Sequence, residues 1–149
     1  VVALPDRDLE VWNLHLQSTD DGSDVRRAQI LELVHWLERD ATTPFAVVLG
    51  DFNCAPGEPD FVLLCERLAA LGFERSGCDR PTYDPSRNPL AEPVAPMEID
   101  HVFVRGHVGP RVAHLVHDLP IDGRFASDHF GVEVRLDPAP RSLARSSAR

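Results

Sequence analysis

Four short polar clusters of the sequence combine histidine, carboxylate and amide side chains. They are Asn13-Leu14-His15-Leu16, Gly50-Asp51-Phe52-Asn53, Glu98-Ile99-Asp100-His101 and Ser127-Asp128-His129. Hydrolysis of a phosphoester requires a base that orients water, donors for the charged phosphate oxygens and help for the leaving oxygen. Hard divalent cations prefer oxygen ligands, which the aspartates supply. The four clusters therefore contain groups that suit phosphate and metal chemistry.

Each cluster taken alone also has an ordinary structural explanation. A single histidine in a strand, such as His15, is usually structural. A turn after a strand often contains aspartate and asparagine, as at Asp51 and Asn53, and the last cluster could simply form a polar turn before a strand. Asp100 is the exception, because it opens an otherwise apolar strand and a buried carboxylate needs a partner.

The first two clusters lie on predicted strands. Residues 10–16 alternate between apolar and polar side chains, which predicts a strand with Asn13 and His15 on one face. Residues 46–49 form a short apolar run, as expected for a strand buried on both faces. Gly50 permits a tight turn there, so the second cluster should lie just beyond the C-terminal end of that strand.

Two amphipathic helices and three further strands complete the prediction. Apolar residues at helical spacing predict one helix over residues 24–39, with Ser23 or Asp24 as its cap, and a second helix between Pro59 and Gly72. The remaining elements are strands over residues 99–104, 112–116 and 130–136, and a long ordered loop over residues 78–96. Because strands alternate with helices, the sequence predicts an α/β fold.

The composition limits the possible functions. The 149 residues, 43% of them hydrophobic, suffice for one domain with a core, and no apolar run approaches the roughly 20 residues of a transmembrane helix. The net charge of -9 argues against tight non-specific binding to duplex nucleic acid. All 15 basic residues are arginine, which excludes Schiff-base lysine chemistry and a P-loop. The three cysteines match neither a paired-thiol zinc site nor a closed disulfide framework.

In this order, the four clusters resemble the motifs of the endonuclease/exonuclease/phosphatase superfamily. The first is similar to its Asn-Thr-His-Leu motif, the second to Gly-Asp-Phe-Asn, the third to Ile-Asp-Tyr and the fourth to Ser-Asp-His. Two positions depart from the pattern, since Leu14 replaces a threonine and His101 replaces a common tyrosine. The resemblance covers roughly residues 9–136 and implies a phosphoester hydrolase, with a phosphodiesterase favoured.

The resemblance also implies a role for each polar residue. Asp51 would align and deprotonate the attacking water, and Asn53 would hold the phosphate beside it. Asp128 is the candidate that approaches the metal, which would be Mg²⁺ or Mn²⁺.

Two histidines complete the implied site. His15 and His129 would contact the phosphate or assist proton transfer, and Asp100 would accept a hydrogen bond from His129 and favour its charged form. Asn13 is a weaker candidate for a phosphate contact. A serine hydrolase that uses Ser127 with His129 is disfavoured, because neighbouring residues of an extended segment point apart.

Members of the superfamily are built from two packed βα halves, and the glutamate that mainly holds the metal comes from the first half. The resemblance therefore implies that residues 1–136 form the later half of a four-layer α/β sandwich, without its N-terminal half. The Pro/Arg/Ser composition of residues 137–149 separately predicts a disordered tail. We expect an exposed apolar sheet face, poor activity of this chain alone and a tendency to associate. A catalytically inactive binding module of the same fold is the alternative.

The substrate is left open between a lipid head group and nucleic acid. Thr82-Tyr83-Asp84-Pro85 and Asn88-Pro89-Leu90 are similar to a stretch of the neutral sphingomyelinase-like branch, although a plain proline-rich loop explains them equally well. Both tryptophans lie in predicted core elements, so no exposed aromatic hairpin for membrane insertion is predicted. A nuclease would need basic contacts, and the candidates are too scattered to indicate them: Arg105, Arg111 and Arg124.

Overall fold

The computed structural model describes residues 1–4, 8–18, 22–78, 80–106 and 113–136. In these ranges the strands are β1 (Val2–Ala3), β2 (Asp8–His15), β3 (Ala46–Asp51), β4 (Glu74–Ser76), β5 (Asp100–Arg105), β6 (Ala113–Val116) and β7 (Gly131–Val134). The helices are α1 (Ser23–Asp40) and α2 (Pro59–Ala70). The predicted α/β class is therefore confirmed. The predicted tail, residues 137–149, lies outside the described residues.

Five strands form one sheet in the order β1-β2-β3-β5-β4, and β6 pairs with β7 in a separate two-stranded sheet. Strands β2 and β3 are parallel, whereas β3 and β5 are antiparallel. Helix α1 makes the crossover that a parallel pair requires. In this register His15 lies opposite Asp51, and Asp51 lies opposite Asp100. Three of the predicted site residues therefore stand side by side on neighbouring strands.

One face of the larger sheet is closed by both helices. Alternate strand residues such as Val48 and Phe103 point to this face and pack against helix residues at helical spacing, including Ile30, Leu33 and Leu64. Phe52, directly after β3, is fully buried in the same cluster. This core fixes the strand ends from which the polar clusters project.

The opposite face of the same sheet is covered only in part. A second buried cluster on this face includes Val47, Val102 and Val104. Three apolar residues in or just after β7 pack against it: Val132, Val134 and Leu136. Val11, on β2, is still 42% exposed. On this face β7 therefore shields the β5 side, and the exposed apolar face that the missing half would cover stays a prediction.

Several sequence predictions need correction. Gly22, not Ser23 or Asp24, is the N-cap of α1, and it makes no side-chain cap; the Ser23 hydroxyl donates to the Asp60 carboxylate instead. Trp36 is 41% exposed rather than part of the core. Strands β1 and β4 were not predicted, because runs of two or three residues show no periodicity.

The helices of the described residues do not meet the combined requirements of length and apolar character for crossing a membrane.

Candidate functional site

The second polar cluster begins where β2 and β3 approach each other closely. Gly50 has a φ of +137°, and a Cβ built there would lie 1.9 Å from the Leu14 carbonyl oxygen. Only glycine adopts this backbone without a clash. The Leu16 amide then donates to the Asp51 carbonyl at 2.9 Å, which keeps the two strand ends together. The close approach brings the Asp51 side chain next to that of His15.

The Asp51 carboxylate lies between two imidazoles. Its Oδ2 is 3.4 Å from His15 Nε2 and 3.9 Å from His129 Nε2, while its Oδ1 accepts a hydrogen bond from the Asn53 amide at 2.9 Å. Burial raises the pKa of Asp51, and the charge of Asp100 acts in the same direction. The Asn53 amide and the two histidines oppose that rise of the pKa. A carboxylate with a raised pKa is a better proton acceptor than an ordinary aspartate.

Asp100 has a partner, as expected for a carboxylate that opens a buried strand. His129 Nδ1 lies 2.8 Å from Asp100 Oδ2, and this hydrogen bond is the main cause of the raised pKa of His129. The charges of Asp51 and Asp128 raise it further, against the effect of burial. With Nδ1 donating to Asp100, Nε2 is the ring nitrogen that faces Asp51. The catalytic roles of these residues stay predictions.

A cavity of about 930 Å³ unites most of the predicted residues. Its lining includes six of them: His15, Asp51, Asn53, Asp100, Asp128 and His129. Asn13 does not line it, since it lies two residues earlier on β2, roughly 7 Å away along the strand. Tyr83 and Met97 also line the cavity, although sequence reasoning did not assign them to the site. The only sequence signal for Tyr83 was its place in the loop that resembles the sphingomyelinase-like branch.

Two residues of the clusters, Asn53 and Ser127, have contacts that bear on their predicted roles. The Asn53 side-chain amide donates to the Leu16 carbonyl at 2.9 Å, and its second hydrogen is the one left for a phosphate. The Ser127 hydroxyl donates to Asp128 at 3.1 Å and accepts from the His129 backbone amide at 3.2 Å. Ser127 is therefore turned toward a carboxylate and a backbone amide, which does not suit a nucleophile activated by the imidazole.

His101 lies next to Asp100 but on the closed side of the sheet. The residue is 2% exposed, its ring packs against Phe52 and Phe61, and Nε2 is 2.9 Å from the Cys54 carbonyl oxygen. A carbonyl only accepts, so Nε2 carries the proton. Burial lowers the pKa of His101 to about 4. His101 is therefore a neutral core residue, and the family's tyrosine position contributes nothing to the cavity here.

The carboxylate and imidazole side chains of the cavity partly fit a divalent metal ion. Ligand atoms of Asp51, Asp100 and His129 all lie within 4.8 Å of one another. Two carboxylates suit Mg²⁺ or Mn²⁺, which prefer oxygen, whereas the His129 ring is already bonded to Asp100. Asp128 is not in this group but lines the same cavity. Its predicted role as a metal ligand stays a prediction.

The sequence pattern of the Endonuclease/Exonuclease/phosphatase family matches residues 3–129, a range that includes all four polar clusters. The chain belongs to this family, whose members are metal-dependent phosphoesterases. The resemblance seen in the sequence is thereby confirmed. Among curated protein sequences, none matches the chain significantly.

Several solved structures share the fold of this chain. Humanized D. rerio TDP2 has a TM-score of 0.66 and 20% identity, covering 87% of this chain and 55% of that one. D. rerio TDP2 complexed with a single strand DNA product has a TM-score of 0.66 and 21% identity, covering 82% and 53%. A mutant of Staphylococcus aureus beta toxin with bound magnesium ions has a TM-score of 0.68 and 18% identity, covering 89% and 54%. The chain thus spans about half the length of these structures.

Proposed function

We propose that this chain provides the water-activating part of a metal-dependent phosphodiesterase, which cleaves its substrate by in-line attack of water on phosphorus. One observation carries the proposal. The Asp51 carboxylate, whose pKa is raised, lies between His15 and His129. Asp100 accepts a hydrogen bond from Nδ1 of His129, the ring nitrogen that does not face Asp51. A candidate base and two imidazoles thus converge on one open cavity.

Asp51 is the proposed base. The backbone amide of Asn53 holds Oδ1, which leaves Oδ2 directed at the space between the two imidazoles. A water molecule bonded to Oδ2 would be aligned for attack and would pass its proton to the carboxylate. The side chain of Asn53 would donate its free hydrogen to a phosphate oxygen.

The two histidines differ in how firmly they are held. His129 is fixed by Asp100 and by the Tyr83 ring, which packs edge-on at 5.0 Å between centroids. In its charged form it would donate from Nε2 to the phosphate or to the leaving oxygen. His15 is largely exposed and touches only the Asp51 carboxylate among the described contacts. We therefore assign His15 to a phosphate contact, in which its side chain can adjust its position more freely than that of His129.

A bound Mg²⁺ or Mn²⁺ would neutralise charge on the phosphate and stabilise the leaving oxygen. The aspartates of the cavity that would hold it are Asp100 and Asp128, which leaves Asp51 Oδ2 to accept the proton of the attacking water. Because Mg²⁺ takes six oxygen ligands and commonly keeps several waters, these side chains need supply only part of its shell.

A phosphodiester is the favoured substrate class, in nucleic acid or in a lipid head group. Similar structures include TDP2 complexed with a single strand DNA product. The net charge of -9 disfavours long-range attraction of a polyanion, so we infer that a short or single-stranded phosphodiester, or a lipid head group, suits the cavity better than duplex DNA. Parallel assays with a single-stranded oligonucleotide and with sphingomyelin vesicles distinguish the two sources.

The natural full-length protein should hydrolyse bis(p-nitrophenyl) phosphate in the presence of Mg²⁺, and Asp51→Asn should lower kcat by about 10²–10⁴-fold because it removes the base. Asp24→Asn, which changes an exposed aspartate at the start of α1, is the matched control and should leave kcat unchanged. Hydrolysis should stop with EDTA and return with Mn²⁺. Full turnover by Asp51→Asn would refute the proposal, and substrate binding without turnover by the unaltered protein would favour the inactive binding module.

A further inference from the structure

Asp100 and His129 are held by different sheets. Asp100 opens β5 of the five-stranded sheet, whereas His129 stands two residues before β7 of the two-stranded sheet. No ladder of backbone hydrogen bonds joins β5 to β7 in the described sheets. The 2.8 Å contact between the two side chains therefore depends on some other connection.

Thr82 supplies the first part of this connection. Its side chain is completely buried, and its Oγ1 accepts hydrogen bonds from the Ile99 and Asp100 amides, each at 3.1 Å. Its carbonyl accepts from the Phe130 amide at 2.7 Å. One residue thus binds the backbone of Asp100 on one side and that of the residue after His129 on the other.

Asn88 supplies the second part. It too is completely buried, and its Nδ2 donates to the Ser127 carbonyl at 2.8 Å while its Oδ1 accepts from the Leu90 amide at 3.0 Å. The Asp84 carbonyl in turn accepts from the Asn88 amide at 2.9 Å. Residues 82–88 therefore hold the 127–130 segment at both ends, at Ser127 and at Phe130.

We propose that Thr82 and Asn88 are positioning residues that set the contact between Asp100 and His129. Each of these two buried polar side chains makes at least one hydrogen bond to a backbone group within two residues of the pair, at Asp100 for Thr82 and at Ser127 for Asn88. The expected effect on kcat rests on the proposed hydrolysis, whereas the expected effect on the contact between Asp100 and His129 does not. A misplacement of about 1 Å in a site costs on the order of 10²-fold in rate.

The test compares Thr82→Val, which keeps the shape and removes the hydroxyl, with Thr82→Ser, which restores it. Thr43→Val is the matched control, since Thr43 Oγ1 donates to the Phe45 carbonyl near the start of β3, at the other end of the sheet. At one fixed pH and without metal, the ¹⁵N shifts of the His129 ring and the signal of its Nδ1 proton report the bond to Asp100. We expect both signals to change in Thr82→Val and to return in Thr82→Ser, with no change in Thr43→Val.

In the full-length protein, Thr82→Val should lower kcat by about 10–10²-fold with little change in KM. Wild-type His129 signals in a folded Thr82→Val variant would overturn the proposal. If that variant does not fold, Asn88→Asp decides, because it keeps the acceptor for Leu90 and loses the amide donor to Ser127. If the unaltered protein shows no hydrolysis, the proposed function fails, while the His129 signals still confirm or refute the positioning role.

Discussion

Two histidines near β5 occupy opposite sides of the same sheet and have opposite acid-base properties. His101 faces the helices, contacts Phe52 and Phe61, and has its pKa lowered to about 4. His129 faces the open cavity, bonds to the Asp100 carboxylate, and has a raised pKa. The residue type is the same, so the surroundings decide the direction in which the pKa moves.

The physical difference lies in the partner of each ring. His101 is bonded to a carbonyl oxygen, which cannot repay the loss of water around an imidazolium. His129 is bonded to a carboxylate, which favours the charged form of the ring although the ring is partly buried. The closed side of the sheet therefore serves stability, and the open side has the properties of a reactive site.

The largest effect that would sharpen this contrast is on catalysis. In the full-length protein, His129→Gln should lower kcat for a phosphodiester by about 10²–10⁴-fold, because it removes the imidazole that we propose as the donor to the phosphate or the leaving oxygen. His35→Gln on the exposed surface of α1 should leave kcat unchanged. Equal losses in His129→Gln and His35→Gln would contradict the assignment of the open side as the reactive one.

The next effect is on stability. Phe52→Ala should lower the free energy of unfolding by about 3–5 kcal/mol, since it leaves a cavity in the helix-covered core. Val11→Ala on the opposite, partly exposed side of β2 should cost less than about 1 kcal/mol. Urea unfolding at pH 7 measures both. Similar losses for the two variants would mean that the two sides of the sheet are equally well packed.

A smaller effect concerns acid sensitivity through His101. Its folded pKa lies below the unfolded value of about 6.5, so the unfolded state binds the proton more readily and stability falls as the pH drops from 6.5 toward 4. Between pH 7 and pH 4.5 the loss from this one group is about 2–3 kcal/mol. His101→Gln, which keeps a neutral donor for Cys54, should remove that part of the loss in urea unfolding. An unchanged pH dependence would show that His101 is not held neutral by burial.

The smallest effect is expected at Asn13. This residue is exposed and does not line the cavity, so Asn13→Ala should change kcat/KM by less than tenfold, which is about 1.4 kcal/mol. A larger loss in the phosphodiester assay would move the boundary of the site along β2 and restore the phosphate contact that the sequence resemblance implied.

Much of the fold follows from periodicity alone. The alternation in β2, the apolar run of β3 and the helical spacing in α1 and α2 all predicted the elements that the structure contains. Periodicity did not predict which of several possible hydrogen-bond partners a side chain would bind. Ser23 was available as a cap, yet its hydroxyl bonds to Asp60, because the buried carboxylate from α2 is the stronger acceptor. Trp36 shows the same limit, since helical spacing alone did not reveal that this side chain would be 41% exposed.

The sequence by itself determined which residue types stand at the strand ends. The order of its motifs also indicated the family, which the match over residues 3–129 confirmed. The sequence also determined that Asp100 and His101 point to opposite sides, because side chains alternate along a strand. Only the tertiary structure decided which of the two faces the cavity. It also decided that His129 meets Asp100, and that buried Thr82 and Asn88 hold the two sheets together around them. Such contacts join segments far apart in the chain, and local patterns carry no information about their distance.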